Sequence, residues 1–164
     1  MQNKDTSFPK PSPRNSGRLS KHNLPPSFTP LIGREQTVVM ACTLLRRPEV
    51  RLLTLTGTGG VGKTRLALQI ATDLLEDFGD GVYFFDLASI ADPELVLSAV
   101  AHKLGIQEIG VSSFVEQIQV ALQEKRVLLV LDNFEQVVQA APQVVELLAA
   151  DAGVAQHFDL LNAW

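Results

Sequence analysis

RLLTLT (51–56), GTGGVGKT (57–64) and RLALQIATDLLEDF (65–78) follow one another without a gap, and their joint reading decides the fold. The first run is short, apolar and strand-like. The second fits GxxxxGK[ST] in full. The third carries Leu66, Ala67, Ile70, Ala71, Leu74, Leu75 and Phe78 on one stripe at the 3.6-residue period, and Gly79 and Gly81 follow it. Strand, glycine loop and amphipathic helix together predict a phosphate-binding loop. Such a loop turns successive backbone N–H groups toward an anion. Glycine tolerates the required dihedrals and offers no Cβ to block close approach. The helix that follows presents its N-terminal N–H groups and positive dipole end. Gly57, Thr58, Gly59, Gly60, Val61, Gly62, Lys63, Thr64 and the adjoining Arg65 are therefore the candidate nucleotide contacts. Lys63 brings a cation to the β- and γ-phosphates, and the Thr64 hydroxyl is a candidate ligand of Mg²⁺.

Outward from this unit, strands and helices alternate. Toward the C-terminus, VYFFDL (82–87) reads as a second strand, and Asp92-Pro93 reads as a helix start leading to Leu104. Ser113 and Glu116 form a capping box for a further helix. VLLVL (127–131) is apolar on both faces, as a central parallel strand must be. Pro142 opens a last helix to about Ala150. Toward the N-terminus, Val38, Val39, Cys42 and Leu45 recur at helical spacing and Pro48 ends that run. The pattern predicts an α/β fold of three layers, α/β/α, around a parallel sheet. Three segments follow: a Pro/Ser-rich basic tail over 1–27 expected to be disordered, a partial nucleotide-binding domain over 28–150, and an unassigned tail over 151–164.

Asp132 directly follows the VLLVL strand. An acid at the C-terminal end of a parallel strand lies where open α/β sheets bind ligands, so Asp132 joins Thr64 as a candidate magnesium ligand. Hydrolysis also needs a group that orients or activates water. Asn133 stands where many ATPases carry a second acid. Its amide can position water but cannot accept a proton at neutral pH. Glu135 is the other candidate. His22, His102 and His157 have no ligand-like spacing.

Composition sets outer bounds. Apolar residues make up 46% and charged residues 20% of the 164. Aromatics, at 6%, are too few for a base-stacking platform. Residues 1–25 hold five basic side chains and one acidic, leaving nine basic and seventeen acidic for the remainder. An acidic body is a poor general partner for DNA, so direct DNA binding by this segment is not expected. Cys42 is the single cysteine and excludes an intrachain disulfide. The N-terminus has no apolar signal region, and no run is long enough to span a bilayer. The expectation is a cytoplasmic protein with no membrane partner.

NLPPSFTPLIGRE (23–35), RLLTLTGTGGVGKTRLA (51–67), VYFFDLASIADPELV (82–96) and LLVLDNFEQV (128–137) occur in that order. Together they resemble the STAND class of signal-transduction ATPases. More narrowly, they resemble the NB-ARC-like domains of large bacterial transcriptional regulators of the LuxR and AfsR type. The resemblance covers about Asn23 to Ala150. It implies bound ATP or ADP with Mg²⁺, and it implies Leu31, Ile32 and Arg34 as neighbours of the base and ribose. It also implies a nucleotide-dependent switch that exchanges ADP for ATP to assemble, by self-association or with other domains of a regulator. Thr37 stands at the usual second glutamate of the 33–35 motif, a departure within the site itself, and Thr58 stands where relatives often have proline, a mild departure. A third is larger. The family continues with a strand carrying a sensor Thr-Ser-Arg, then a helical lid and a winged helix, and DAGVAQHFDLLNAW (151–164) resembles none of these. In the family's sheet order, 5-1-4-3-2, the fourth strand lies between the loop strand and the Asp132 strand. The expectation is thus an incomplete domain lacking the sensor strand, as a truncated or frameshifted product would be. Such a domain is at most a weak ATPase. A plain ATPase or kinase, and a degenerate fragment, are the alternative functions.

Overall fold

The computed structural model describes residues 22–26, 31–106, 112–149 and 157–163. Helix α1 (Glu35–Leu45) precedes β1 (Leu52–Leu55) and α2 (Lys63–Asp73). Then come β2 (Gly81–Asp86), α3 (Leu95–Lys103), α4 (Phe114–Leu122) and β3 (Arg126–Asp132). A 3₁₀ helix (Phe134–Ala140), α5 (Ala141–Ala149) and β4 (His157–Ala163) complete the order. The strands form one parallel sheet ordered β1-β4-β3-β2.

Strand alternation sorts the core into two halves. Val82, Leu128 and Val130 pack with Leu45, Leu66, Ile70 and Leu74 of the α1–α2 layer. Phe85, Leu129 and Leu131 pack with Val96, Val100, Ile118 and Leu147 of the α3–α4–α5 layer. The three-layer α/β/α arrangement is the one expected. β3 is buried from Val127 to Asp132, as its unbroken apolar run requires. The capping box is present: Glu116 N–H donates to Ser113 Oγ and Ser113 N–H to Glu116 Oε2, both at 3.2 Å. Asp92, expected to cap α3, instead accepts from Glu94 N–H at 3.0 Å and closes the turn before the helix. Pro93 thus lies in that turn, and α3 starts two residues later.

The expectation of a missing fourth strand is corrected. β4 pairs with β1 from Leu52↔Leu160 to Leu55↔Ala163, and with β3 from Arg126↔His157 to Asp132↔Ala163. It fills the slot between the two strands and satisfies backbone groups that would otherwise face a gap nearly 10 Å wide. Part of the tail read as unassigned is therefore a central strand, and the chain has the order 1-4-3-2 of the sheet it resembles.

Of the N-terminal segment read as a tail, His22–Pro26 is described and lies along the outer edge of β2; residues 1–21 and 27 lie outside the described set. His22 forms a parallel bridge with Val82. The Asn23 side chain then copies a strand backbone. Its Nδ2 donates to Phe84 O at 2.9 Å, and its Oδ1 accepts from Phe84 N–H, at 2.6 Å. Leu24 packs on the α1–α2 core. Composition alone makes residues 1–25 dispensable, whereas these contacts give them a structural share. Asn23→Ala will lower the melting temperature by about 2–4 °C, the shift that about 1 kcal/mol gives in a domain of this size. Deleting residues 1–25 will lower it further, because Leu24 goes too. Differential scanning calorimetry checks both, and unchanged transitions would show that water replaces the strap without loss.

Among the described residues, no helix is long and apolar enough to cross a membrane.

Candidate functional site

The loop between β1 and α2 is shaped by its glycines. Gly60 (φ +79°) and Gly62 (φ +84°) adopt the left-handed region, where a side chain would be strained. Gly62 is also the residue that caps α2. A Cβ built on Gly59, Gly60 or Gly62 meets no atom within 4 Å, so the space in front of the loop is open. Lys63 begins α2 and folds back across the loop, its Nζ donating to Gly57 O at 2.8 Å and Thr58 O at 3.1 Å.

Beneath the loop two oxygens from distant parts of the chain converge. Thr64 Oγ1, in the first turn of α2, donates to Asp132 Oδ1 at 3.0 Å, at the end of β3. Even-numbered residues of β3 face the α1–α2 layer, which is why Asp132 turns toward α2. Asp132 is 4% exposed, the one buried charged side chain among the described residues. Burial pushes its carboxyl up from the ordinary value; the Thr64 hydroxyl and Asn133 N–H oppose this, and the charges of Asp86 and Glu135 add to it. A buried carboxylate held by one hydroxyl and one backbone N–H, yet disfavoured by burial and by two neighbouring carboxylates, is a group that a cation would satisfy. The open cradle, the Lys63 ammonium and this oxygen pair fit a magnesium nucleotide.

The remaining candidates divide. Asn133 turns into the left-handed conformation (φ 59°, ψ 34°), and its Nδ2 donates to Asp86 Oδ1 at 2.8 Å. Glu135 is exposed in the first turn of the 3₁₀ helix. Arg65 is exposed beside Thr64. Leu31 packs on the α1–α2 core, whereas Ile32 is 84% exposed and Arg34 half-buried. No hydrogen bond among the described residues joins 31–34 to the loop. Glu35 accepts from Gly33 N–H at 3.0 Å, and its own N–H and that of Gly33 hold its carboxyl below the ordinary value. Asp86 was not singled out from the sequence. The signal for it is its place at the end of VYFFD, which the register pairs with Asp132.

A wide groove of about 1170 Å³, lined by Ser98, His102, Lys103 and Phe114, lies between α3 and α4.

The sequence profile of the AAA domain family matches residues 47–159. An HTH-type transcriptional regulator of Mycobacterium tuberculosis is 44% identical over 101 residues, covering 61% of this chain and 11% of that protein. The regulatory protein AfsR of Streptomyces coelicolor is 35% identical over 96 residues, covering 54% of this chain and 10% of its own length. This chain thus spans about a tenth of either regulator. Among solved structures, the ORC2 protein of Aeropyrum pernix, in ADPNP–ADP complexes, superposes with a TM-score of 0.61 at 16% identity. It covers 81% of this chain and 41% of that one, a likeness of fold.

Proposed function

Since this chain belongs to the AAA domain family, we propose that it is a nucleotide-dependent switch of the STAND type, the ATP- and ADP-binding part of a transcriptional regulator acting in the cytoplasm. The observation that carries this reading is the Thr64–Asp132 pair at 3.0 Å beneath the glycine loop. It offers Mg²⁺ a hydroxyl and a buried carboxylate, while the next position holds Asn133 instead of an acid. Such a site binds a magnesium nucleotide firmly and cleaves it slowly, which is what a switch needs. Lys63 supplies the charge for the β- and γ-phosphates, the loop N–H groups the close contacts, and Leu31, Ile32 and Arg34 the surroundings of the base and ribose. The likeness to HTH-type and AfsR regulators supports an output in transcription, with DNA contacted by other parts of such a protein.

Equilibrium binding and turnover on one sample test the proposal. ADP and a non-hydrolysable ATP analogue will bind with Mg²⁺, and steady-state turnover will lie at least about a thousandfold below the 1–100 s⁻¹ of dedicated phosphoryl-transfer enzymes. Fast turnover would make the chain an enzyme in its own right, and absence of binding would make it a remnant.

A further inference from the structure

Helices α1 and α2 run side by side in the same direction. Cys42 Sγ lies 4.0 Å from Ile70 O, and Arg46, at the end of α1, donates to Asp77 Oδ2 at 2.9 Å, just past the end of α2. Cys42 stands as many residues into α1 as Ile70 stands into α2. Both helices rise by about 1.5 Å per residue, so their first turns are level. α2 begins at the phosphate loop, and Leu31–Arg34, immediately before α1, therefore stands beside that loop. The strap reaches the same end along the outer edge of the sheet. Its bridge to Val82 is parallel, so it runs with β2 toward the strand ends that carry Asp132. Asn23 clasps the Phe84 backbone with both amide atoms. Leu24 then packs on the same half of the core as Leu31. Pro25, Pro26 and Pro30 fall in the short sequence between them, and proline fixes φ, so this stretch has little freedom to absorb a displacement. Downstream, Gly33 is tied to Glu35. No side-chain hydrogen bond holds Arg34 among the described residues, and Ile32 is exposed. The placing of both therefore depends on what anchors the two ends of their segment.

We infer that Asn23 is a positioning residue for the nucleoside end of the ligand. By clasping β2 it anchors the upstream end of the segment whose downstream end is α1. It thereby keeps Leu31, Ile32 and Arg34 where a base and ribose meet them. The inference rests on the reading that the loop holds a nucleotide with these three residues around its base. Groups already ordered when a ligand arrives cost it less affinity than groups that must be ordered on arrival. The phosphates are held by the loop, by Lys63 and by the metal, none of which the strap touches among the described residues. The clasp thus acts on one end of the nucleotide and not on the other.

The test is calorimetric titration of the full chain, well below its melting temperature, with two magnesium-bound ligands: a non-hydrolysable ATP analogue, and inorganic tripolyphosphate, which has no base or ribose. N23A will weaken the analogue about fivefold or more and tripolyphosphate by no more than about twofold. In a chain already carrying I32A and R34A, N23A will change the analogue's affinity by no more than about twofold, because the side chains it places are largely gone. Should N23A fail to fold, the unaltered chain decides, since coupling between two sites is reciprocal. The analogue will then slow hydrogen exchange at Phe84 N–H by about threefold or more, and tripolyphosphate will not. Equal losses for the two ligands would overturn the assignment and leave Asn23 a part of the fold alone. So would an unchanged affinity for the analogue, a full N23A loss in the doubly substituted background, or Phe84 exchange slowed by both ligands alike or by neither. A chain that binds tripolyphosphate as tightly as the analogue would keep the phosphate loop but remove the base-side residues, and this assignment with them. One that binds neither would defeat the nucleotide reading itself.

Discussion

Replacing Lys63 by alanine will weaken ADP and ATP binding by about a hundredfold or more and leave the fold in place. Lys63 is the side-chain cation at the loop, half-buried at the start of α2, with its Nζ held over the loop by the carbonyls of Gly57 and Thr58. Neutral carbonyls hold an ammonium less firmly than phosphate oxygens do, so the cation is available to an anion entering the loop. Hydrogen bonds to charged groups contribute about 1.5–3 kcal/mol each, and every 1.4 kcal/mol is a factor of about ten in affinity. Two lost phosphate contacts thus account for the expected drop. The fold survives because α2 is anchored by Leu66, Ala67, Ile70 and Ala71, all buried and none touched by the change. Calorimetric titration with ADP, alongside far-UV circular dichroism, measures both halves. Affinity within about threefold of the original in a folded variant would refute the phosphate-loop assignment.

Which parts were legible follows from what fixes them. The loop and α2 were legible because each is set by its own residues: glycines where φ is positive, and an apolar stripe at the helical period. β3 was legible because a strand buried on both faces must be apolar throughout. The Thr64–Asp132 contact spans 68 positions, yet it follows from the start of α2, just after the β1 loop, lying beside the C-terminal end of β3 in a parallel sheet. β4 was not legible. HFDLLNA carries Asp159 and Asn162, residues that strands disfavour, and the pairing partners on both sides, not its own pattern, make it a strand. The strap was misread for a similar reason. Pro25 and Pro26 mark it as linker, but an amide side chain imitating a backbone, the His22 bridge and the packing of Leu24 hold it. The Asp86–Asn133 bond depends on the register of β2 against β3, which no periodicity reveals.

Asp132→Asn will have opposite effects on stability and on function. Asp132 is buried, and burial is the main reason its carboxyl lies above the ordinary value, with the Thr64 hydroxyl bond only partly compensating. The folded chain therefore holds a proton on this group more readily than the unfolded chain does. Where folding raises a carboxyl in this way, stability falls as pH rises from the ordinary value, about 3.9, through the raised one. At neutral pH and without metal, the charge thus costs stability. The asparagine side chain keeps the shape and an oxygen for the Thr64 hydroxyl, but carries no charge. In metal-free buffer at pH 7 the variant will melt higher, by about 2–4 °C for each kcal/mol relieved in a domain of this size. The gap will narrow as pH is lowered toward the ordinary carboxyl range, where the original also becomes neutral. Mg²⁺ with nucleotide reverses the ranking. The cation neutralises the buried carboxylate, so ligand stabilises the original chain by mass action and the variant far less. Affinity for Mg·ATP will fall about tenfold or more, while ADP affinity in EDTA will change by no more than about threefold. Thermal melts at three pH values, with and without Mg²⁺ and nucleotide, resolve every part of this. A variant less stable than the original in metal-free buffer would mean that the ionised bond to Thr64 outweighs the cost of burial. Equal losses of affinity with and without metal would make Asp132 a structural residue and remove the magnesium site from the proposal.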